Sequence, residues 1–324
     1  MQHYDVIGIG NAIVDVLSYV DEDFLSRNAL PKGTMQLVDE ARSATLYQQM
    51  GQTTECSGGS VANTLAGLAS LGATSAFIGK VANDQLGAIF THDLRSIGVD
   101  FSTAPASDGP ATASCLVCVT PDAQRTMATF IGACNRVAIR DVDDAMIARA
   151  KLLYIEGYLW DVDAAKAAIR TAIASAKTHG KKVALTLSDT FCVDRFRGEF
   201  LALIKQDVDV LFANESELMS LFQTTSFDEA IAALQGKCEV AAITRSEKGA
   251  VIVTADAIEH VSAARVEKLV DTTGAGDLFA AGFLFGYTRG WPHAKSAALG
   301  NACAGRIIQQ LGARTMKPLK ELAA

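Results

Sequence analysis

From residue 151 onward, short runs that are apolar at every position alternate with longer segments whose apolar residues recur at helical spacing. Leu152–Ile155, Lys182–Leu187 and Val208–Ala213 are expected as strands, with helices over 163–178, near 194–205 and from about 215. Strands without a polar side are covered on both faces, and their alternation with helices is the pattern of a doubly wound, mostly parallel sheet. The first half adds a strand over Tyr4–Gly10 and a strand–helix unit made of 74–78 and about Asp84 to Ile97.

Two stretches depart from this pattern. Residues 16–40 alternate short apolar runs with turn signals such as Leu30-Pro31-Lys32-Gly33, and two alternating strands between about 111 and 131 are joined by Thr120-Pro121-Asp122-Ala123. Both are expected to leave the main sheet and form a small β-strand lid, as insertions at about 16–40 and 100–131. There is no internal repeat, low-complexity segment or interdomain linker, so residues 1–324 are taken as one α/β domain.

Composition narrows the partners. Hydrophobic residues make up 49% of the chain, and 29 basic against 36 acidic side chains give a net charge of −7 with no basic cluster. Nucleic acid is therefore not an expected partner. Met1-Gln2-His3-Tyr4-Asp5 lacks the basic and apolar regions of a signal peptide, and no apolar run approaches the roughly 18 residues of a membrane span, so a cytoplasmic protein is expected. The seven cysteines are scattered and read as reduced thiols. Cys115-x-x-Cys118 has metal or redox spacing, yet it lies in a strand-like run with no second Cys/His pair nearby.

The candidate chemistry is concentrated in Asp271-Thr272-Thr273-Gly274-Ala275-Gly276-Asp277, which opens onto the apolar helical run Leu278–Tyr287. The first turn of a helix leaves backbone N–H groups without partners, and its dipole adds positive potential. Gly274 and Gly276 let an anion approach, the N–H groups of Gly274, Ala275 and Gly276 would hold it, and Asp277 beside it suits a general base for an attacking hydroxyl. An ordinary capped turn would use the same residues.

Other polar positions follow strand ends. Asn11-Ala12-Ile13-Val14-Asp15 comes directly after the first strand, where an Asp can accept two hydroxyl hydrogen bonds or simply face solvent. Gly58-Gly59 precede a helix running to about Leu71 that carries Asn63. Asn214 and Glu217 follow another strand and fit both a binding pair and a helix capping box. Asn301 lies on a small, apolar helix near Ala294–Gln310, where a buried amide needs partners. Gly8-x-Gly10 hints at a dinucleotide fold, but Ile13 takes the place of the third small residue. No GxxxxGK[ST] loop occurs.

The Asp271–Asp277 motif resembles the C-terminal signature of the ribokinase family, also called PfkB carbohydrate kinases, and the likeness extends along nearly the whole chain. Within the family it is closest to adenosine kinases, carried by Gly10–Asp15, Val20-Asp21-Glu22-Asp23-Phe24-Leu25, Leu211–Glu217 and Ile307–Ala313; Thr272-Thr273 stands where those enzymes often have Thr-Asn. The resemblance implies a ribokinase-like fold, with ATP, Mg²⁺ and K⁺ as companions. It also implies roles for single residues. Asn11, Asp15, Gly58, Gly59 and Asn63 would bind substrate hydroxyls, Thr244, Ser246 and Gly249 would contact ATP, and adenine or its ribose is one answer for a partner of Asn301. Arg125 would reach toward the phosphates, Asn214 and Glu217 would lie by the Mg²⁺-bound phosphates with Glu217 acting through water, and backbone carbonyls of Asp271 and Thr273 would meet K⁺. The implied reaction converts adenosine and ATP to AMP and ADP, in a monomer or homodimer. Ile13, Leu37, Phe130, Tyr158 and Trp160 are candidates to wall a base, or else core. A sugar kinase acting on ribose or fructose and a non-catalytic nucleoside-binding protein stay open, with an oxidoreductase a distant third.

Overall fold

The computed structural model describes residues 3–122 and 124–323. Its strands in chain order are β1 (Tyr4–Ile9), β2 (Ile13–Tyr19), β3 (Met35–Leu37), β4 (Thr54–Gly58), β5 (Ser75–Ile78), β6 (Val99–Phe101) and β7 (Ala113–Val119). There follow β8 (Arg125–Phe130), β9 (Ala150–Glu156), β10 (Lys182–Thr186), β11 (Val210–Asn214), β12 (Val240–Thr244), β13 (Ala250–Val253) and β14 (Ile258–Val261). Nine of them form one sheet in the order β14-β13-β12-β11-β10-β9-β1-β5-β6. Every pair from β12 to β6 is parallel, while β13 and β14 close one edge as an antiparallel hairpin.

This is the expected doubly wound α/β architecture. Helix Asp163–Thr178 has the predicted bounds, whereas the expected Lys182–Leu187 and Val208–Ala213 become Lys182–Thr186 and Val210–Asn214. Strands such as Leu152-Leu153-Tyr154-Ile155 are apolar throughout because alternate residues serve separate cores: Leu152 and Tyr154 face one cluster, Leu153 and Ile155 the other. Helix Ala275–Tyr287 lies in the first cluster, where Phe283 meets Phe212 edge to face at 5.5 Å.

The other five strands form a separate sheet in the order β3-β8-β7-β2-β4. Its members include the strands anticipated in 16–40 and 111–131, although Ala123 of the connecting turn lies outside the described residues. Two features differ from the sequence reading. β4 lies outside both stretches, and residues 16–40 contain the short helix Glu22–Arg27, capped by Asp21 at 2.7 Å, rather than strands throughout. That helix and Glu40–Gln49 cover one face: Phe24, Leu25 and Leu46 share a core with Val14, Val16, Leu116 and Ala128. The alternate residues of β2, Ile13, Asp15 and Leu17, stand on the opposite, more open face. All seven cysteines are free, and no described helix is long and apolar enough to cross a membrane.

Candidate active site

The carboxyl ends of the central parallel strands carry polar residues, the usual binding edge of such a sheet. Glu156 ends β9 opposite Thr186 of β10, and Asn214 ends β11 opposite Thr244 of β12. Glu156, which sequence reasoning missed, is fully buried and braces two loops: it accepts from the Asn11 N–H at 2.8 Å and the Val61 N–H at 3.0 Å. Burial pushes its carboxyl up to about 7 against the pull of those donors.

The turn at Asn11 and the start of helix Ser60–Leu71, both held by Glu156, lie with Asp15 of β2 and the end of β4, so that Asn11, Asp15, Gly58, Gly59 and Asn63 come together. Gly59 sits at φ +93°, and a Cβ there would lie 2.2 Å from the Asn11 carbonyl oxygen; one on Gly58 would lie 2.5 Å from the Asp15 carboxyl carbon. Only glycines allow this approach. The side-chain oxygens of Asn11 and Asn63 are buried with no protein donor. Such acceptors usually have partners, and none of the described protein groups supplies one here. Burial pushes Asp15 up to about 6, reinforced by the charge of Asp277 and opposed by those of Arg314 and Arg125.

Asp277 sits in the first turn of helix Ala275–Tyr287 and reaches the same loops. Its carboxylate accepts from Ser60 Oγ at 2.7 Å and Asn63 Nδ2 at 2.8 Å, and its carbonyl accepts from Thr64 Oγ1 at 3.1 Å. Burial raises its pKa, while these donors and the nearby charge of Arg314 pull it down. It is half-buried.

The two glycines before Asp277 differ in purpose. Gly274 caps the helix at φ +75° with Ala313 2.8 Å from where its Cβ would be, so the backbone itself demands glycine. A Cβ on Gly276 would meet nothing within 4 Å, so that glycine leaves open space over the helix mouth. The Ala275 N–H closes a 3.2 Å turn bond to the Thr272 carbonyl, while those of Gly274 and Gly276 have no acceptor among the described residues.

That mouth opens into a cavity of about 520 Å³ which brings together Thr244, Ser246, Gly249, Ala275, Gly276 and Asn301. Its apolar walls, Val266, Leu269, Phe279 and Ile308 among them, escaped the sequence reading because they are scattered over the chain. Asn301 serves the wall: its Nδ2 donates to the carbonyls of Val261 at 3.2 Å and Ser262 at 2.9 Å.

Asn214 and Glu217 form a closed capping box. Glu217 accepts from the Asn214 N–H at 3.0 Å and from Asn214 Nδ2 at 2.5 Å, and its own N–H donates to Asn214 Oδ1 at 2.8 Å. Burial pushes Glu217 up to about 7. Neither residue lines the cavity. Arg125 crosses from β8 to pair with Asp271 at 2.8 Å, and the buried Asp271 carboxylate also accepts from the N–H groups of Thr273 and Gly312, both at 2.8 Å. Of the proposed base wall, Ile13, Leu37 and Phe130 belong to the five-stranded sheet and Tyr158 is partly exposed. Trp160 is fully buried against Phe200, with Nε1 donating to Glu199 at 2.9 Å, so it is core. Arg314, also missed, reaches this region from the far end of the chain.

A helix mouth that can hold an anion, with a carboxylate at its rim facing a pocket for hydroxyls, is the working geometry of a kinase. Comparison with known proteins gives the family. The chain matches the pfkB family carbohydrate kinases over residues 34–320 and belongs to that family. It is 49% identical to the solved structure of adenosine kinase from Sinorhizobium meliloti, with 99% of each chain covered and a TM-score of 0.91. It is 27% identical over 329 residues to adenosine kinase from Saccharomyces cerevisiae, covering 95% of both chains. It is also 29% identical over 277 residues to 5-dehydro-2-deoxygluconokinase from Geobacillus kaustophilus, covering 81% of this chain and 83% of that one.

Proposed function

We propose that this kinase transfers the γ-phosphoryl group of ATP to the primary hydroxyl of a nucleoside, converting adenosine and ATP to AMP and ADP as a cytoplasmic enzyme of purine salvage. The observation that carries the reading is the position of Asp277. Its helix start borders the 520 Å³ cavity, while its carboxylate touches Ser60 and Asn63 in the first turn of helix Ser60–Leu71.

In this reading Asp277 takes the proton of the hydroxyl, whose oxygen attacks the γ-phosphorus as the bond to the departing ADP oxygen breaks. The N–H groups of Gly274 and Gly276 would receive the transferring phosphoryl, with Ala275 adding its N–H once the weak turn bond yields. Asp15, Asn11 and Asn63 would hold ribose hydroxyls over Gly58 and Gly59, and Thr244, Ser246, Gly249 and Asn301 would frame the nucleotide. The five-stranded sheet would act as the lid, with Arg125 turning to the phosphates. Mg²⁺ would neutralise charge on the ATP oxygens. Each Glu217 oxygen accepts one hydrogen bond from Asn214, and Glu217 would act on the ion through water.

The adenosine preference rests on the neighbours of Asp15. Ile13 and Leu17 share its face of β2, and their register partners on β7 are Ala113 and Val117, an apolar setting that suits a base better than a free sugar. A sugar kinase is the second reading, favoured by the similarity to 5-dehydro-2-deoxygluconokinase. The test is ADP formation over a panel of adenosine, inosine, ribose and fructose. Adenosine should give the highest kcat/KM, a sugar in that place would favour the second reading, and ATP turnover accelerated by none would overturn both.

A further inference from the structure

The loop after helix His293–Ile307 delivers one cation into the site. Arg314 threads between the five-stranded sheet and helix Ser60–Leu71, where Nη1 donates to the Ala62 carbonyl at 3.0 Å and Nη2 to Ser57 Oγ at 2.8 Å. Ser57 is held from its other side by Asp93, which accepts from the Ser57 N–H at 2.7 Å and from Ser57 Oγ at 2.6 Å. The residue so clamped is the one immediately before Gly58-Gly59. Arg314 Nε is buried without a partner, a cost that folding stability alone does not explain.

Charge gives the explanation. Asp15 and Asp277 approach the same pocket from β2 and from helix Ala275–Tyr287, and each raises the cost of ionising the other. The groups facing the Arg314 guanidinium are Cys56 on β4, Asp93 on helix Gln85–Ser96, Asp15 and Asp277. Around the two carboxylates stand Arg125 on β8 and, on β9, Tyr154 and Glu156. Arg125 is already committed to Asp271, which leaves Arg314 as the cation whose charge acts on both site carboxylates.

We infer that Arg314 is a positioning residue for the phosphoryl transfer, clamping the Gly58-Gly59 turn through Ser57 and supplying the positive charge that lets Asp15 and Asp277 stand ionised together. The inference rests on the proposed roles of those two aspartates. Its sign is fixed: a neighbouring cation favours the carboxylate, so removing it must move the acid limb of the activity profile to higher pH.

The experiment is the pH dependence of kcat/KM for the preferred acceptor in the wild-type enzyme, Arg314→Met, Arg314→Lys and Ser57→Ala, with Asp277→Asn measured alongside. Arg314→Met should shift the acid limb up by about 1 to 2 pH units and recover much of its activity at high pH. Arg314→Lys should return the limb close to its wild-type position while raising the acceptor KM, because one ammonium does not reproduce the planar fork. Ser57→Ala should raise KM and leave the limb in place. A Met variant whose profile is lowered equally at every pH overturns the inference. If that variant does not fold, a limb shifted in Ser57→Ala or left shifted in Arg314→Lys overturns it instead. Full activity in Asp277→Asn would sink the reaction itself; an inactive Asp277→Asn together with an unmoved Arg314→Met limb would sink only the role of Arg314.

Discussion

The two halves of the cleft are built from different materials. On the proposed nucleotide side the cavity is framed by backbone and small residues, with Val266, Leu269, Phe279 and Ile308 as apolar wall and Glu247 the one carboxylate among its described lining residues. On the acceptor side, Asp15, Glu156, Asp277 and Arg314 crowd around two buried amide oxygens that lack protein donors. In the proposed reading, one side would recognise by shape, through main-chain conformations that titration does not alter. The other would recognise by charge and hydrogen bonding, so reaction chemistry and pH sensitivity are expected there.

The contrast breaks most sharply at Asp277. Asp277→Asn should lower turnover by roughly 10²–10⁴-fold, as for a lost general base, with the melting temperature almost unchanged. An equal loss of stability would return this residue to a capping role. On the nucleotide side, Gly276→Ala places its Cβ in open space within the helix start, so folding should be unharmed or improved by up to about 1 kcal/mol while the KM for ATP rises. Gly274→Ala, at φ +75° and pressed against Ala313, should instead cost on the order of 1–3 kcal/mol in thermal or denaturant unfolding. If both variants lose stability alike, the open mouth is only a packing feature.

pH sharpens the comparison further. Asp15, raised to about 6, is ionised above that value and protonated as pH falls through it, and in the proposed reading only the ionised form accepts from two hydroxyls. The acceptor KM should therefore climb toward tenfold per unit below about pH 6, with the KM for ATP nearly flat. Parallel curves would erase the distinction. The smallest effect concerns the Asp271–Thr273 loop: replacing potassium with a large organic cation should lower the rate a few-fold, roughly 1 kcal/mol of barrier, and an unchanged rate removes a cation from that loop.

What the sequence disclosed depended on how local each signal was. The seven residues Asp271–Asp277 place the glycine cap, the helix start and the first-turn carboxylate next to one another in the chain, and helix Asp163–Thr178 advertises itself by its spacing. β4 was hidden because Thr54-Glu55-Cys56 looks polar, and it gains its place only through pairing with β2. Glu156 lies 145 positions from Asn11, and Arg314 lies 252 from Ala62. No local pattern encodes such contacts, although a carboxylate ending an apolar strand at Glu156 was a signal available to be taken. The capping box of Asn214 and Glu217 formed as its spacing implied, yet closed on itself rather than toward the cavity.

The link between Arg125 and Asp271 joins the small sheet to the segment leading into the helix mouth. Any hinge motion that parts those bodies has to rupture it, stranding a carboxylate whose side chain is only 1% exposed with just two amide hydrogens for company. Gaping is thereby opposed by electrostatics at the very rim through which a polyanion must enter, and an incoming negative charge is a rival suitor for the same guanidinium.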